Sequence, residues 1–292
     1  MLKMQKATAL ENLAAIYRSE FEKKSWLVST KYDGNMIFIE KIGDRVRFFT
    51  SNGKEFYLEG VAEWLKTYPG DFTFTAEFMY GCRGKLGDRT KSAILTTFRT
   101  DFAKGIESSY NPFDIHIQVF DIISDGKYHE RIAKCHYILT EIQRLRRPAV
   151  LRENIFAISL KALSGKEAIA WAKDAVKLGW EGAMAVDPNS IYQAGKRVPH
   201  AVKLKFRKTA DLLCIDVEQG TGKCNGIGAL VLQDKAGRVV KVGSGLDYSS
   251  DTRSGDQFIG KVIEIEYEQI LDTYIQPVFV CVRDDKTKED ID

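Results

Sequence analysis

The chain has 292 residues, 44% hydrophobic and 28% charged, the composition of a soluble globular protein with room for two domains of ordinary size. A formal net charge of +3 is too small for a polybasic coat on nucleic acid, so any binding of polyanions must come from local concentrations of charge. The five cysteines (Cys82, Cys135, Cys214, Cys224, Cys281) are scattered without CxxC spacing, implying neither a zinc site nor a disulfide framework. With no run of membrane-spanning length and no apolar signal-peptide core at the N-terminus, a cytoplasmic protein is expected.

In chain order, residues 8–23 place apolar side chains at helical spacing and predict an amphipathic helix. LVSTK predicts a strand ending at Lys31, and NMIFIEKI and RVRFFT two more, the last closed by the turn residues Ser51-Asn52-Gly53. VAEWLKTY reads as a short helix, DFTFTAEFMYG and HIQVFDII as strands, and RIAKCHYILTEIQRLRR as a helix ended by Pro148. NIFAISL (strand), KEAIAWAKDAVKLG (helix), EGAMAV and HAVKLKF (strands) follow. Beyond Lys205 the texture changes to short strands with glycine-rich connections: DLLCIDVEQG, GALVLQD, RVVKVGSG, KVIEIEYEQ and PVFVCVR. The fold class is therefore α+β, with one α+β domain over residues 1–206 and a small all-β, barrel-like domain over 207–292. The last ten residues, RDDKTKEDID, have the composition of a frayed tail.

One stretch stands out. In LVSTKYDGNMIFIE, Lys31 sits between two apolar runs, directly before a Tyr-Asp-Gly turn. A buried ammonium is costly unless paired or discharged. A solvent-facing lysine before an Asp-Gly turn would account for the string by itself. The string has company, however: Glu77 in FTAEFMYG, Asp121 in VFDII, Glu181 in EGAMAV, and Lys203 with Lys205 in AVKLK. Lys203 and Lys205, two apart in a strand, share a face, and their ammoniums repel unless an anion lies between them; a solvated edge or a polyphosphate would each explain the pair.

Taken together and in order, KYDG, FTAEFMYG, QVFDII, EGAMAV, AVKLK and VRDDK resemble the six motifs of the nucleotidyltransferase superfamily of ATP-dependent DNA ligases, RNA ligases and mRNA capping enzymes, from about Thr30 to Lys286. The resemblance implies a nucleotidyltransferase (adenylation) domain followed by an OB-fold domain. It implies a small ATP-dependent DNA ligase of the viral or bacteriophage kind, starting directly with the catalytic domain and acting as a monomer on nicked duplex DNA. Lys31 would attack the α-phosphate of ATP to form a covalent lysyl-AMP. Glu77 would lie near the ribose or a metal, and Glu181 would help hold Mg²⁺. Phe120 would stack on adenine, Lys203 and Lys205 would grip the α-phosphate, and Arg283, Asp285 and Lys286 would orient the pyrophosphate. Lys203, Lys205 and the Mg²⁺ would lower the pKa of the nucleophile. Asp33 would shape its turn, and Asp121 would support its strand.

Three positions depart from the family pattern. Met36 stands where the nucleophile motif carries an arginine, Ser29 where a glutamate reads the adenine amino group, and Ser51 where another arginine follows the hairpin. Arg45 or Arg47 is the candidate to replace the first of these. Residues 80–105 carry Arg83, Lys85, Arg89, Lys91, Arg99 and Lys104 against Asp88 and Asp101, a balance of +4 in a glycine-punctuated stretch that reads as a surface loop binding DNA phosphates. Lys196, Arg197, Arg207 and Lys208 flank the domain boundary and could face the same groove. His116, His129, His136 and His200 lack ligand spacing, and Cys135 reads as a small buried hydrophobe. The missing arginine keeps an RNA ligase, or a nick-binding protein without activity, as alternatives; a GTP-using capping enzyme is a third.

Overall fold

Alternating apolar residues in three successive runs build the central sheet: β3 (Asn35–Ile42), β4 (Arg45–Thr50) and β6 (Phe72–Tyr80). The structure, a computed structural model, describes residues 2–81, 90–106, 114–144, 155–220, 226–246, 256–270 and 272–292. The remaining strands of this six-stranded sheet are β5 (Glu55–Phe56), β7 (Ile115–Ile122) and β8 (Ile155–Ala157), in the order β5-β4-β3-β6-β7-β8. Period-two alternation puts Ile37, Ile39, Phe74, Ala76, Phe78, Ile117 and Val119 on one face, all fully buried. Helices α2 (Glu59–Lys66) and α4 (Tyr128–Arg144) contribute Val61, Trp64, Leu65, Ile132, Cys135, Ile138 and Ile142 to the same core. Each fully buried Phe or Ile contributes roughly 1.5–3 kcal/mol.

A second, five-stranded sheet runs β1-β11-β10-β2-β9, from β1 (Lys6–Ala9), β2 (Ser25–Lys31), β9 (Lys161–Ser164), β10 (Gly182–Val186) and β11 (Arg197–Leu204). Helix α5 (Gly165–Lys177) packs against β2, β9 and β10. It starts at a capping box in which Ser164 and Glu167 satisfy each other's backbone N–H groups. Its buried stripe is Ala168, Ala172 and Ala175, small enough to lie close to the sheet. Val28, Ala183, Ala185, Val202 and Leu204 are buried on one side of this sheet, so Ser29, Lys31, Met184, Lys203 and Lys205 belong to the other.

The chain divides into two compact units, residues 1–205 and 206–292. The second is an antiparallel sheet in the order β14-β13-β12-β15-β18, from β12 (Lys208–Gln219), β13 (Ile227–Gln233), β14 (Val239–Val242), β15 (Val262–Tyr267) and β18 (Val278–Val282). A small hairpin, β16 (Gln269–Ile270) with β17 (Tyr274–Ile275), precedes β18. One backbone bond, Phe279 N–H to the Ser244 carbonyl at 2.9 Å, joins β18 to the segment after β14.

Two expectations are corrected. The helix predicted over residues 8–23 begins only at Ala15, as α1 (Ala15–Lys23); Lys6–Ala9 form a parallel strand against β11, and a 3₁₀ turn at Leu10–Asn12 links the two. Long-range pairing overrides local helical spacing there. The basic stretch read as a surface loop includes a helix, α3 (Thr90–Lys104), anchored in the core by Leu95 and Phe98. The charged tail, in keeping with the role expected of Arg283, Asp285 and Lys286, is tied to β12. Arg283 and Lys286 make ion pairs with Asp211 of β12, and the Asp292 carboxylate accepts the Asp211 backbone N–H at 2.6 Å.

Candidate active site

The Lys31 question is answered by strand register. Lys31 pairs with Gly182 across β2–β10, and Ala183 pairs with Leu204 across β10–β11. Three neighbouring strands therefore bring Lys31, Glu181 and Lys205 to one end of the sheet. One Glu181 carboxylate oxygen accepts from the Lys31 ammonium and the other pairs with the Lys205 ammonium. The Glu181 side chain is only 9% exposed, so this is no solvent-screened surface pair. Burial by itself would push its carboxyl up, but the two ammoniums beside it prevail and hold it below the usual carboxylate range.

The crowding of cations tells on Lys203, which lies opposite Met184 in the next row of the same face. Burial, with Lys31, Arg197 and Lys205 nearby, lowers its pKa; Glu181 only partly opposes this. Tyr32 and Trp180, the neighbours of Lys31 and Glu181, meet edge-on with ring centroids 5.6 Å apart and tie the two chain segments together.

Glycine links this cluster to Glu77. The Gly34 N–H donates to Glu77 Oε1 at 3.0 Å, and a Cβ at Gly34 would stand 2.6 Å from both Glu77 Cγ and the Phe78 carbonyl oxygen. Only glycine lets the turn approach β6 this closely. Since Gly34 is three residues beyond Lys31, the Lys31 and Gly34 backbones lie within about 11 Å. Gly182 has a different constraint: its φ is +139°, and a Cβ there would lie 2.1 Å from the Leu204 carbonyl oxygen. The residue after Glu181 is thus fixed by backbone packing.

The other expected residues divide. Phe120 sits where β7 carries one residue more than β6, a bulge of the kind that re-aims a side chain, and it is half-buried against the core. Asp121 serves the fold: it receives the Arg131 guanidinium through bonds of 2.8 and 3.0 Å, and the same arginine reaches the Gly126 and Ser190 carbonyls. Met36 and Gln118 flank Glu77 in the ladder, so a thioether stands beside Glu77 where the motif has a guanidinium. Arg47 is paired with Glu40 and lies over the Phe49 ring at 5.1 Å. It is four positions from Met36 along β3, roughly 13 Å, and Arg45, opposite Ile42, is farther still. Neither replaces the missing arginine in this arrangement.

Arg283, Asp285 and Lys286 lie in the second unit. Arg283 reaches Asp285 at 2.8 and 2.7 Å, Glu264 at 3.3 Å and Asp211 at 3.4 Å. The carboxylates of Asp211 and Glu264 were not anticipated; their partners become visible only once β12 and β15 are paired. Of the expected DNA-contacting residues, Arg83, Lys85 and Arg89 lie outside the described residues, as does the side chain of Lys91. Arg99 lies on α3, where its Nε–H meets no acceptor among the described residues. Among the described residues no helix is long and apolar enough to cross a membrane.

Known proteins resemble this chain over most of its length. The model of the ATP dependent DNA ligase domain matches residues 5–205, the whole span of the Lys31, Glu77, Glu181 and Lys205 cluster. A DNA ligase of Thermococcus onnurineus (strain NA1) is 26% identical over 90% of this chain and 52% of its own length. The chain thus spans about half the length of the curated relatives it matches. Among solved structures, one described as Pmar-Lig_PreS3 superposes with a TM-score of 0.72 at 19% identity, covering 97% of this chain and 68% of that one. A Lig E DNA ligase, described as DNA binding with a minimal scaffold, reaches 0.68 at 17% identity and covers 97% and 98%. With a family model that covers the first unit almost entirely, the chain belongs to the family of ATP-dependent DNA ligase domains.

Proposed function

We propose that this chain is an ATP-dependent DNA ligase that seals 3′-OH/5′-phosphate nicks in duplex DNA through a lysyl-AMP on Lys31. The observation that carries the reading is the contact of Lys31 with Glu181, itself shared with Lys205, inside the family-matched residues. The Lys31 nitrogen bonds to the α-phosphorus of ATP, the bond to the bridging oxygen breaks, and pyrophosphate leaves with the electron pair, while the amine gives a proton to solvent. The 5′-phosphate of the nick then takes the AMP from the lysine. Attack by the 3′-hydroxyl closes the strand and expels AMP.

Attack requires the lone pair of the Lys31 nitrogen, so its contact with Glu181 must open first. An incoming α-phosphate on Lys203 and Lys205 offers the cations an anion to replace Glu181. Glu77 is assigned to the ribose or metal side and Phe120 to the adenine face. Arg283, Asp285 and Lys286 are assigned to the pyrophosphate. Magnesium would be held by Glu77 and Glu181, whose hard oxygens suit it. When bound, it supplies neutralising charge to the phosphates.

The second unit is read as an OB-type barrel, supported by its five antiparallel strands and the bond from β18 to the segment after β14. Arg83, Lys85, Arg89, Lys91 and Arg99 are assigned to phosphates of the duplex; binding should weaken steeply with salt. The Met36–Glu77 pairing favours a second reading, in which RNA strands are joined, because the cation expected near the 5′-phosphate is missing.

The test is labelling with α-³²P-ATP followed by sealing of a nicked duplex. The natural chain should carry covalent label and seal DNA, and Lys31→Ala should do neither. Sealing of RNA nicks alone would transfer the assignment to RNA. An unlabelled natural chain that still binds nicks would make it a binding protein.

A further inference from the structure

Asp211 of β12 and Glu264 of β15 stand directly opposite each other in the ladder. Two carboxylates in that position repel, and Asp211 is 8% exposed, so water relieves little of the cost. Arg283 supplies the relief, as one terminal nitrogen reaches Asp211 at 3.4 Å and Glu264 at 3.3 Å. Its other two nitrogens are taken by Asp285, which the Arg283 guanidinium holds down at about 2. Lys286 closes the arrangement by pairing with the second oxygen of Asp211, after a turn in which its N–H bonds to the Arg283 carbonyl at 3.1 Å.

The consequence is that both cations assigned to pyrophosphate are engaged by carboxylates of their own unit. Asp285 travels with Arg283, only two residues away. Asp211 belongs to a different element and touches both cations, so it holds them as a phosphate would. Resting on the assignment of Arg283 and Lys286 to pyrophosphate, we propose that Asp211, helped by Glu264, is a positioning residue that keeps Arg283 and Lys286 occupied until a polyphosphate displaces it. A polyphosphate brings several negative charges and more acceptor oxygens than one carboxylate, so it wins the exchange. Asp211 sets how much of that binding energy is spent on the exchange.

Removing the carboxylate charge should therefore tighten polyphosphate binding. Inorganic pyrophosphate is titrated into the full chain by calorimetry, and the KM for ATP is measured separately from kcat in formation of the covalent adduct. Asp211→Asn should lower both the pyrophosphate Kd and the KM for ATP about three- to tenfold, whereas Arg283→Ala should raise both. Glu264→Gln, which touches only one of the two cations, should move them in the same direction by less, and it decides the matter if Asp211→Asn does not fold. An unchanged or raised Kd, with kcat reduced, would overturn the proposal and make Asp211 a plain structural partner. If the natural chain forms no covalent adduct with ATP, the ligase reading has failed, and the pyrophosphate titration alone decides the role of Asp211.

Discussion

Asp121 and Glu181 are both acidic residues at strand ends of the first unit, both buried and both paired with cations, yet their surroundings differ in kind. Around Asp121 every partner is fixed in place. Arg131 gives it two bonds, spends its remaining terminal nitrogen on the Gly126 and Ser190 carbonyls, and lies 5.6 and 5.8 Å from the rings of Tyr128 and Tyr192. The Ser190 bond ties α4 to the connection between β10 and β11, so the cluster braces the two sheets. Around Glu181 the partners are two flexible lysines whose side chains are 18% and 34% exposed, and a third amine, Lys203, is pushed below its usual pKa beside them. A closed cluster in which every nitrogen of a buried planar guanidinium is bonded stabilises a fold. An open one, in which two partly exposed lysines share the Glu181 carboxylate and a third amine stands near them, is suited to receive an anion.

The contrast breaks most sharply if each acid is removed in turn. Asp121→Ala strands a fully buried guanidinium and should cost about 3–5 kcal/mol of stability, read by denaturant unfolding, while folded molecules still form lysyl-AMP at a near-normal rate. Glu181→Gln should do the reverse: a smaller loss of stability, about 1–2 kcal/mol, because the two lysines it leaves can turn towards solvent, and adenylylation slowed on the order of 100-fold. If both variants lose mainly stability, Glu181 is another structural acid and the distinction drawn from its open partners is wrong. A smaller effect is expected from Gly34→Ala, whose methyl group would press on Glu77 Cγ and the Phe78 carbonyl. It should slow adenylylation roughly tenfold, about 1.4 kcal/mol in the barrier, because the turn carrying Lys31 must draw back from β6. A rate equal to the natural chain's would show that the Gly34–Glu77 contact does not position the nucleophile.

What could be read beforehand follows the range of the interactions. Strands β3, β4, β6 and β7 and helices α4 and α5 carry their signal in windows of a dozen residues, where alternation, helical spacing and a Ser-x-x-Glu cap suffice. The N-terminal segment does not: Lys6 pairs with Arg197, and no local pattern reports a partner so far along the chain. Helix α3 was obscured by the glycines and charges that precede it, although Leu95 and Phe98 supply its anchor. The site residues were legible as motif strings, but the joining of Lys31 and Lys205 through Glu181 rests on register between β2, β10 and β11. Lys41 shows why the strings needed that geometry. It is a strand lysine 2% exposed, more buried than Lys31, and it is satisfied by the Gly43 and Gly70 carbonyls at 2.7 and 3.2 Å. An apolar run around a lysine therefore does not separate a reactive amine from a structural one.

The smallest expected effect sharpens the open side of the comparison through pH. Lys203 has a folded pKa below its unfolded value of about 10.4. Between those two values the unfolded chain binds more protons than the native one, so stability rises with pH across that window and the deficit is fully present below it. Glu181 has the opposite placement: its lowered carboxyl contributes stability above the unfolded value of about 4.3, and that contribution is lost as pH falls through the folded value. Lys203→Met should therefore raise stability slightly at neutral pH, with the gain over the natural chain shrinking as pH rises towards the unfolded lysine value, and leave the acid limb in place, all measurable by urea unfolding across pH. The same substitution should weaken adenylylation, since the crowded ammonium it removes is assigned to the α-phosphate. A variant that is less stable at neutral pH, or equally fast in adenylylation, would mean that the cluster carries no excess charge held in reserve for a ligand.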